Sequence, residues 1–92
     1  MSITVKIPAP LRPLTANQSE VVVEGATVQA AVDELSRKFP GLKDRLLDEK
    51  GALRRYVNLF RNDEDIRGGA GLATALAAGD RLTIVPAIAG GR

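Results

Sequence analysis

The sequence contains no cysteine and no histidine. Without these side chains there is no thiol nucleophile, no disulfide, no Ser-His-Asp or Cys-His catalytic unit and none of the usual zinc sites. Most catalytic mechanisms are therefore excluded, and we expect a protein that is not itself an enzyme.

Aromatic residues make up only 3% of the chain, which leaves the core to valine, leucine, isoleucine and alanine. No apolar run is long enough to span a bilayer, and the start, Met1 to Lys6, lacks the basic and apolar blocks of a signal peptide. The 92 residues suit a single small domain. We expect a cytoplasmic protein without membrane contact.

A formal net charge of +2 and a pI near 9.4 raise the question of nucleic acid. The basic residues are scattered among acidic ones, with Arg54-Arg55 the densest patch, and aromatic residues are too few for a stacking platform. The acidic run Asp63-Glu64-Asp65 lacks calcium-loop spacing, and Gly68 to Gly71 lacks the Lys-Ser or Lys-Thr of a phosphate loop. We therefore expect no nucleic acid, no metal and no bound cofactor.

Hydrophobic patterning predicts the first half of the fold. Ile3, Val5 and Ile7 alternate with polar residues, as in a strand that buries one face. The proline-rich connection that follows predicts a mobile loop before a second, antiparallel strand at 20–24. Thr27 is a predicted N-cap for a helix whose apolar stripe runs to Phe39 and should cover a sheet. Pro40-Gly41 is expected to end that helix.

Patterning is less decisive in the second half. Residues 42–55 are expected to hold a short helical turn before Gly51, and 56–60 a third strand. A turn at 62–64, a short edge strand at 65–67 and a flexible glycine loop at 68–71 should follow, with a one-turn apolar piece at 72–76. A final strand starts after Gly79-Asp80, and its pairing should stop near Pro86, which lacks a backbone N–H.

The last stretch carries the most specific signal. Beyond Pro86, small residues lead to Gly90 and Gly91, which have no Cβ and can thread a narrow channel. Chain ends are commonly small and polar, so the pair alone is a weak motif. We predict a domain over residues 1–86 and a flexible C-terminal Gly-Gly tail over 87–92.

Nearly the whole chain, most densely from Val57 onwards, resembles the ubiquitin-like sulfur-carrier family, the MoaD and ThiS group, and most closely its cysteine-biosynthesis branch, the CysO group. The matching residues are Val57-Asn58-Leu59, Asn62 to Arg67, Leu76, Gly79-Asp80, Leu82-Thr83-Ile84, Pro86 and Gly90-Gly91. The resemblance implies an α+β fold of the β-grasp (ubiquitin-like) type. In this fold a mixed sheet of about four to five strands packs on one main helix, with the first and last strands parallel at its centre.

The resemblance also implies a function. In the family, an E1-like enzyme consumes ATP to adenylate the terminal glycine, and sulfur then displaces AMP to leave a thiocarboxylate that donates sulfide in biosynthesis. Gly91 would carry the adenylate and the sulfur, with Gly90 as its neighbour in the channel. The expected acceptor is a sulfide-accepting biosynthetic enzyme such as a pyridoxal-phosphate cysteine synthase. Other acceptors would serve molybdopterin, thiazole, thiolated tRNA or a specialised metabolite.

Arg92 departs from the family pattern, whose mature form ends at Gly-Gly. A long charged side chain should not follow two glycines into a narrow channel. We therefore expect a peptidase to remove Arg92 before activation, while a harmless extra residue on a chain that is never activated is the alternative.

Partner binding is the second expectation. Large apolar residues near the end of the sheet exceed what one sheet face needs, although Leu59, Leu82 and Ile84 are equally consistent with the core. The predicted partner-binding residues are Phe60, Ile66, Pro86, Ala87, Ile88 and Ala89.

Two further functions stay open. A protein modifier would form an isopeptide bond through Gly91, since the same activated ester serves both fates. A non-catalytic β-grasp interaction domain would share the fold without the chemistry.

Overall fold

The computed structural model describes residues 2–86, which form one mixed sheet covered by helices. Its strands are β1 (Ser2–Lys6), β2 (Glu20–Glu24), β3 (Val57–Arg61), β4 (Glu64–Asp65) and β5 (Arg81–Pro86), and its α-helices are α1 (Val28–Lys38) and α2 (Pro40–Leu46). Three stretches form 3-10 helix: Ala9–Thr15, Ile66–Gly68 and Gly71–Ala73. No helix among these residues is both long and apolar enough to cross a membrane.

The five strands lie in the order β2-β1-β5-β3-β4. The first strand pairs antiparallel with β2 and parallel with β5, and β5 also pairs antiparallel with β3. The predicted parallel pairing of the first and last strands at the centre is confirmed. The last strand therefore lies in the middle of the sheet, where its neighbours hold it on both sides.

The core lies between α1 and the inner face of the sheet. Strand alternation turns every second side chain inward, so Val5, Leu59 and Ile84 are at most 2% exposed. The apolar stripe predicted for α1 faces them, and its buried residues are Val28, Ala31, Val32 and Leu35. Thr27 caps α1 as predicted, with its Oγ1 accepting a hydrogen bond of 3.1 Å from the backbone N–H of Ala30.

The prediction that the first helix ends at Pro40-Gly41 is confirmed, since α1 stops at Lys38, and Pro40 also begins a second helix. Proline suits the first position of a helix, because its missing N–H would have no helical acceptor there. The new helix, α2, buries Leu42 and Leu46 completely and packs against α1. The short helical turn predicted within residues 42–55 is part of this helix, which begins earlier, at Pro40, and α1 covers a helix as well as a sheet.

The predicted mobile loop after β1 is also corrected. Residues Ala9–Thr15 form a 3-10 helix that buries Leu11 and Thr15. Proline fixes φ near the value that such a helix needs, so Pro10 and Pro13 are compatible with it. The buried Thr15 Oγ1 lies 3.2 and 3.0 Å from the carbonyl oxygens of Arg12 and Gln18, which satisfies its hydroxyl. This connection is therefore part of the folded domain.

The segment after β3 differs from its prediction too. The edge strand is only Glu64–Asp65, and residue 66 begins a 3-10 turn instead of continuing the strand. Asp65 causes the change of direction, because its Oδ1 accepts a hydrogen bond of 2.9 Å from the N–H of Arg67. Part of the predicted glycine loop and of the apolar piece after it forms the 3-10 turn Gly71–Ala73.

Candidate functional site

The carboxyl end of β5 is the candidate site. Its side chains alternate, with Leu82 and Ile84 buried and Val85 40% exposed. Pairing with β1 ends at Thr83, whereas pairing with β3 continues to Pro86, which lies opposite Val57. The predicted carrier residues Gly91 and Gly90, the processing residue Arg92 and the partner-binding residues Ala87, Ile88 and Ala89 all follow this point and lie outside the described residues.

Of the remaining predicted partner-binding residues, Phe60 and Pro86 are half-buried, whereas Ile66 is buried and cannot contact a partner. Phe60 lies on the outer face of the sheet, in register with Thr83 of β5 and Asp65 of β4. Ile66 is 3% exposed and belongs to the core, because the 3-10 turn directs its side chain inward. The expectation that Ile66 contacts a partner is therefore corrected, and partner binding by Phe60 and Pro86 stays a prediction.

Two exposed apolar side chains near the site were not predicted. Val85 lies opposite Asn58 on the outer face, and Tyr56, just before β3, is 50% exposed. The alternation of β5 could have identified Val85, since Leu82 and Ile84 must share one face and Val85 the other. The outer face of β3 and β5 thus presents Phe60 and Val85, and exposed Tyr56 directly precedes β3.

Arg67 joins the turn after β4 to the start of β3. Its Nη1 donates hydrogen bonds of 2.8 Å to the carbonyl oxygen of Arg55 and 3.0 Å to Oδ1 of Asn58. Its Nη2 donates one of 2.5 Å to the carbonyl oxygen of Arg54. All three acceptors lie either in β3, which pairs with the end of β5, or in the residues just before β3. The positive charge of Arg67 is therefore held close to the candidate site.

The acceptors of Arg67 are neutral, unlike those of Arg61 and Arg37. Arg61 forms ion pairs with Asp80 at 3.0 Å and with Glu64 at 3.3 Å, and Arg37 pairs with Glu34. Within residues 2–86, no acidic side chain lies within ion-pair distance of Arg54, Arg55 or Arg67. This edge of the site is consequently positive.

At its other end, β5 is fixed by the carboxylate of Asp80. Asp80 Oδ2 accepts hydrogen bonds from the N–H of Ala77 at 2.8 Å and from Nε of Arg61 at 3.0 Å. Its Oδ1 accepts one of 3.3 Å from Nδ2 of Asn62, whose own Oδ1 accepts from the N–H of Arg81 at 3.1 Å. The turn before β5 is thereby tied to the hairpin after β3.

These hydrogen bonds predict acid-sensitive stability. The N–H of Ala77, followed by Arg61 and Asn62, holds the pKa of Asp80 below its usual value in the folded state. A lowered folded pKa stabilises the fold above the unfolded pKa, which is about 3.9 for aspartate, and that stabilisation is lost as the pH falls through the folded pKa. Asp80→Asn should therefore melt below the wild type at pH 7, and the gap should narrow below about pH 4.

Thermal melts across that pH range check this prediction. Asp63→Asn is the matched control, because Asp63 is exposed in the adjoining turn and no hydrogen bond of its side chain is found among residues 2–86. The N–H groups of Ala52 and Lys50 also lower the pKa of Asp48. The pH dependence of the wild type alone therefore does not isolate Asp80, and the variants must be compared. A gap that stays constant with pH would show that the Asp80 charge is not responsible.

The chain is similar to known proteins along most of its length. A protein-family model described as the ThiS family matches residues 5–91. The sulfur carrier protein CysO of Mycobacterium tuberculosis is 47% identical over 93 residues, covering 99% of this chain and 100% of that protein. Small archaeal modifier protein 1 of Haloferax volcanii is 40% identical over 72 residues, covering 77% of this chain and 78% of that protein.

A similar solved structure is that of the Amycolatopsis orientalis BexX/CysO complex. The matching chain is 43% identical, with a TM-score of 0.90, and the alignment covers 97% of this chain and 99% of that one. The predicted β-grasp fold is confirmed by this match and by the strand order described above.

Proposed function

Since this chain belongs to the ThiS family and is a sulfur carrier of the CysO type rather than an enzyme, we propose that the carboxyl group of Gly91 carries the sulfur as a thiocarboxylate. The observation that supports this most is the similarity to CysO along nearly the whole chain, Gly90 and Gly91 lying within the family match to residue 91. The absence of cysteine from the sequence supports it too, because no side-chain thiol is present to hold sulfur instead.

The carboxyl group needs activation by a partner. An α-carboxyl group has a pKa of about 3.3 to 3.7, so at neutral pH it is an anion and a poor electrophile. An E1-like enzyme transfers the AMP part of ATP to this carboxylate and releases pyrophosphate. A sulfur nucleophile then attacks the acyl carbon, AMP leaves, and the thiocarboxylate remains. ATP is consumed by the enzyme, and the carrier itself binds no cofactor.

Arg92 must leave first. It follows Gly91, so the carboxyl group of Gly91 is part of a peptide bond until that bond is hydrolysed. A peptidase that cleaves after the Gly-Gly pair generates the free carboxylate that the adenylating enzyme requires. The chain is thus a precursor of the active carrier.

The outer face of the sheet is the proposed docking surface for the adenylating enzyme. Phe60 and Val85 lie there in paired strands, and Pro86 leads directly into the tail. An enzyme that contacts this face can receive Ala87, Ile88 and Ala89 in a groove and the two glycines in its active site. The CysO of Amycolatopsis orientalis, which forms a complex with BexX, is an example of a similar chain bound to a partner protein.

The final acceptor we propose is an activated serine derivative held by a pyridoxal-phosphate cysteine synthase. Sulfur from the thiocarboxylate would replace the activating group of the serine derivative, which leaves as the new carbon–sulfur bond of cysteine forms, and water would supply the oxygen that regenerates the Gly91 carboxylate. The similarity to CysO favours this acceptor over the other biosynthetic products.

A second candidate is a protein modifier that forms isopeptide bonds through Gly91. The similarity to small archaeal modifier protein 1 favours it, and the same adenylate is its starting point. A lysine amine, instead of a sulfur nucleophile, would then attack the acyl carbon.

Intact-mass spectrometry of the protein recovered from its native host tests both candidates. We expect loss of one arginine together with replacement of one oxygen by sulfur. Loss of arginine with higher-mass conjugates and no sulfur would support the modifier instead. An unchanged mass in cells that are actively synthesising cysteine would contradict the proposal.

A further inference from the structure

Arg67 has hydrogen-bonding capacity that the fold leaves unused. A guanidinium carries five N–H donors. Three of them are used, two on Nη1 and one on Nη2, by the carbonyl oxygens of Arg54 and Arg55 and by Asn58 Oδ1. The Nε–H and one Nη2–H have no acceptor among residues 2–86. These two donors belong to neighbouring nitrogens of one rigid, planar group.

Because three N–H donors of Arg67 are bound to the fold, its two free donors are held in place for a partner. Most of the rotational freedom of a free arginine is already lost in Arg67, because its guanidinium is fixed to the backbone of the segment before β3. A partner therefore immobilises less of the side chain when it binds. Planar, adjacent N–H donors match the two oxygens of a carboxylate, which can accept both hydrogen bonds at once. Because the three acceptors within the fold are neutral, the full positive charge of Arg67 remains to attract that carboxylate.

The neighbouring residues extend this positive edge. Arg55 is exposed, and its side chain makes no hydrogen bond within the part of the chain that the structure describes. Nε of Arg54 is held by the carbonyl oxygen of Asp44 at 2.7 Å, and its charge acts on Asp48 nearby. On the Arg67 side lies Asp65, whose carboxylate accepts a hydrogen bond from the backbone N–H of Arg67. Exposed Tyr56 adds apolar surface next to Arg55.

We propose that Arg67 and Arg55 form an acidic-partner recognition edge beside the end of β5, and that an aspartate or glutamate of the adenylating enzyme binds the two free donors of Arg67. This inference rests on the proposed function, since it names the chemistry of the surface that the enzyme presents. It assigns Arg67 a role in positioning the carrier on the enzyme, so that the tail enters the active site in register. The contact is electrostatic and therefore speeds association as well as strengthening the complex.

The test measures binding of the processed carrier, ending at Gly91, to the E1-like adenylating enzyme of the same organism. Arg55→Glu and Arg67→Lys should each weaken binding about tenfold at low salt, the first by reversing a charge and the second by removing the planar donor pair. The loss for Arg55→Glu should shrink at about 0.5 M salt, because surface charges are then screened. Arg45→Glu on α2 is the matched control, with the same charge change on the helical layer, and should bind like the wild type.

Adenylation of the wild-type carrier, followed as ATP–pyrophosphate exchange, separates this inference from the proposed function. Exchange that proceeds normally while Arg55→Glu and Arg67→Lys bind like the wild type would overturn the recognition edge and leave the carrier function standing. Equal weakening by Arg45→Glu would also overturn it, because net charge alone would then explain the effect. No exchange with any variant, wild type included, would overturn both. Melting temperatures within a few degrees of wild type confirm that Arg67→Lys remains folded.

Discussion

Replacing Gly90 with alanine in the processed carrier should lower the rate of thiocarboxylate formation by about 100-fold and leave the melting temperature unchanged. The added methyl group occupies space in the groove that leads the tail to the adenylating site, and it displaces the Gly91 carboxylate from ATP. A misplacement of about 1 Å between reacting groups is enough for a loss of this size. Residue 90 comes after the last strand, which ends at Pro86, so we expect the substitution to leave the packing of the core unchanged.

Gly68→Ala provides the matched control for this substitution. A Cβ at Gly68 meets no atom within 4 Å, so the same added methyl group is accommodated at no cost in packing. Initial rates of ATP–pyrophosphate exchange and of sulfur incorporation, measured for both variants, check the prediction. Wild-type rates for Gly90→Ala would mean that the glycine pair is not threaded through a narrow channel, and the interaction-domain alternative would gain support.

Replacing Leu59 with alanine should destabilise the fold by about 3 kcal/mol and lower the melting temperature by roughly 12 to 24 °C. Leu59 is 1% exposed on the inner face of β3, opposite Ile84 of the central strand. Removing its side chain leaves a cavity that the rigid sheet cannot collapse to fill. A domain of this size has a total stability of only about 5 to 15 kcal/mol, so the loss is a large fraction of it.

The next residue along β3 gives the opposite result. Phe60 lies on the outer face and is half-buried, so Phe60→Ala should cost only about 1 kcal/mol of stability. Its effect should fall on binding to the adenylating enzyme, which we expect to weaken about tenfold, in line with loss of an aromatic contact at an interface. Chemical denaturation and binding measurements on both variants check the pair. If Phe60→Ala destabilised the fold as much as Leu59→Ala, Phe60 would belong to the core and the docking surface would have to lie elsewhere.

Local sequence signals predicted those parts of the fold that depend on neighbouring residues. The alternation of Ile3, Val5 and Ile7 follows directly from the two-residue period of a strand, and the Thr27 cap from the free N–H groups of a helix start. The proline-rich stretch after β1 was misjudged because its prolines were treated as breakers, and Pro40, which does follow the end of α1, was not recognised as the start of α2. In each case the burial of a leucine, Leu42 or Leu11, decides the conformation, and burial depends on contacts distant in sequence.

The candidate site was predictable to the same limited extent. The Gly90-Gly91 pair stands out in the sequence and the family resemblance implies its role, whereas Phe60 was proposed from the excess of large apolar residues. Arg67 could not be identified in this way, because its importance comes from hydrogen bonds to Arg54 and Arg55 that span 13 and 12 residues. Ile66 was included among the partner-binding residues because the large apolar residues exceed what one sheet face needs, and the capping hydrogen bond of Asp65 turns it inward instead.

The most direct test of the carrier function follows the sulfur atom itself. Processed carrier is incubated with the adenylating enzyme, ATP and sulfide of a heavy sulfur isotope, and the mass of its C-terminal peptide is measured before and after an acceptor enzyme and its activated serine substrate are added. We expect one heavy sulfur on Gly91 in the first spectrum, and its transfer to free cysteine with return of the carboxylate in the second. A C-terminal peptide that is adenylated but never acquires the heavy sulfur would contradict the proposed function.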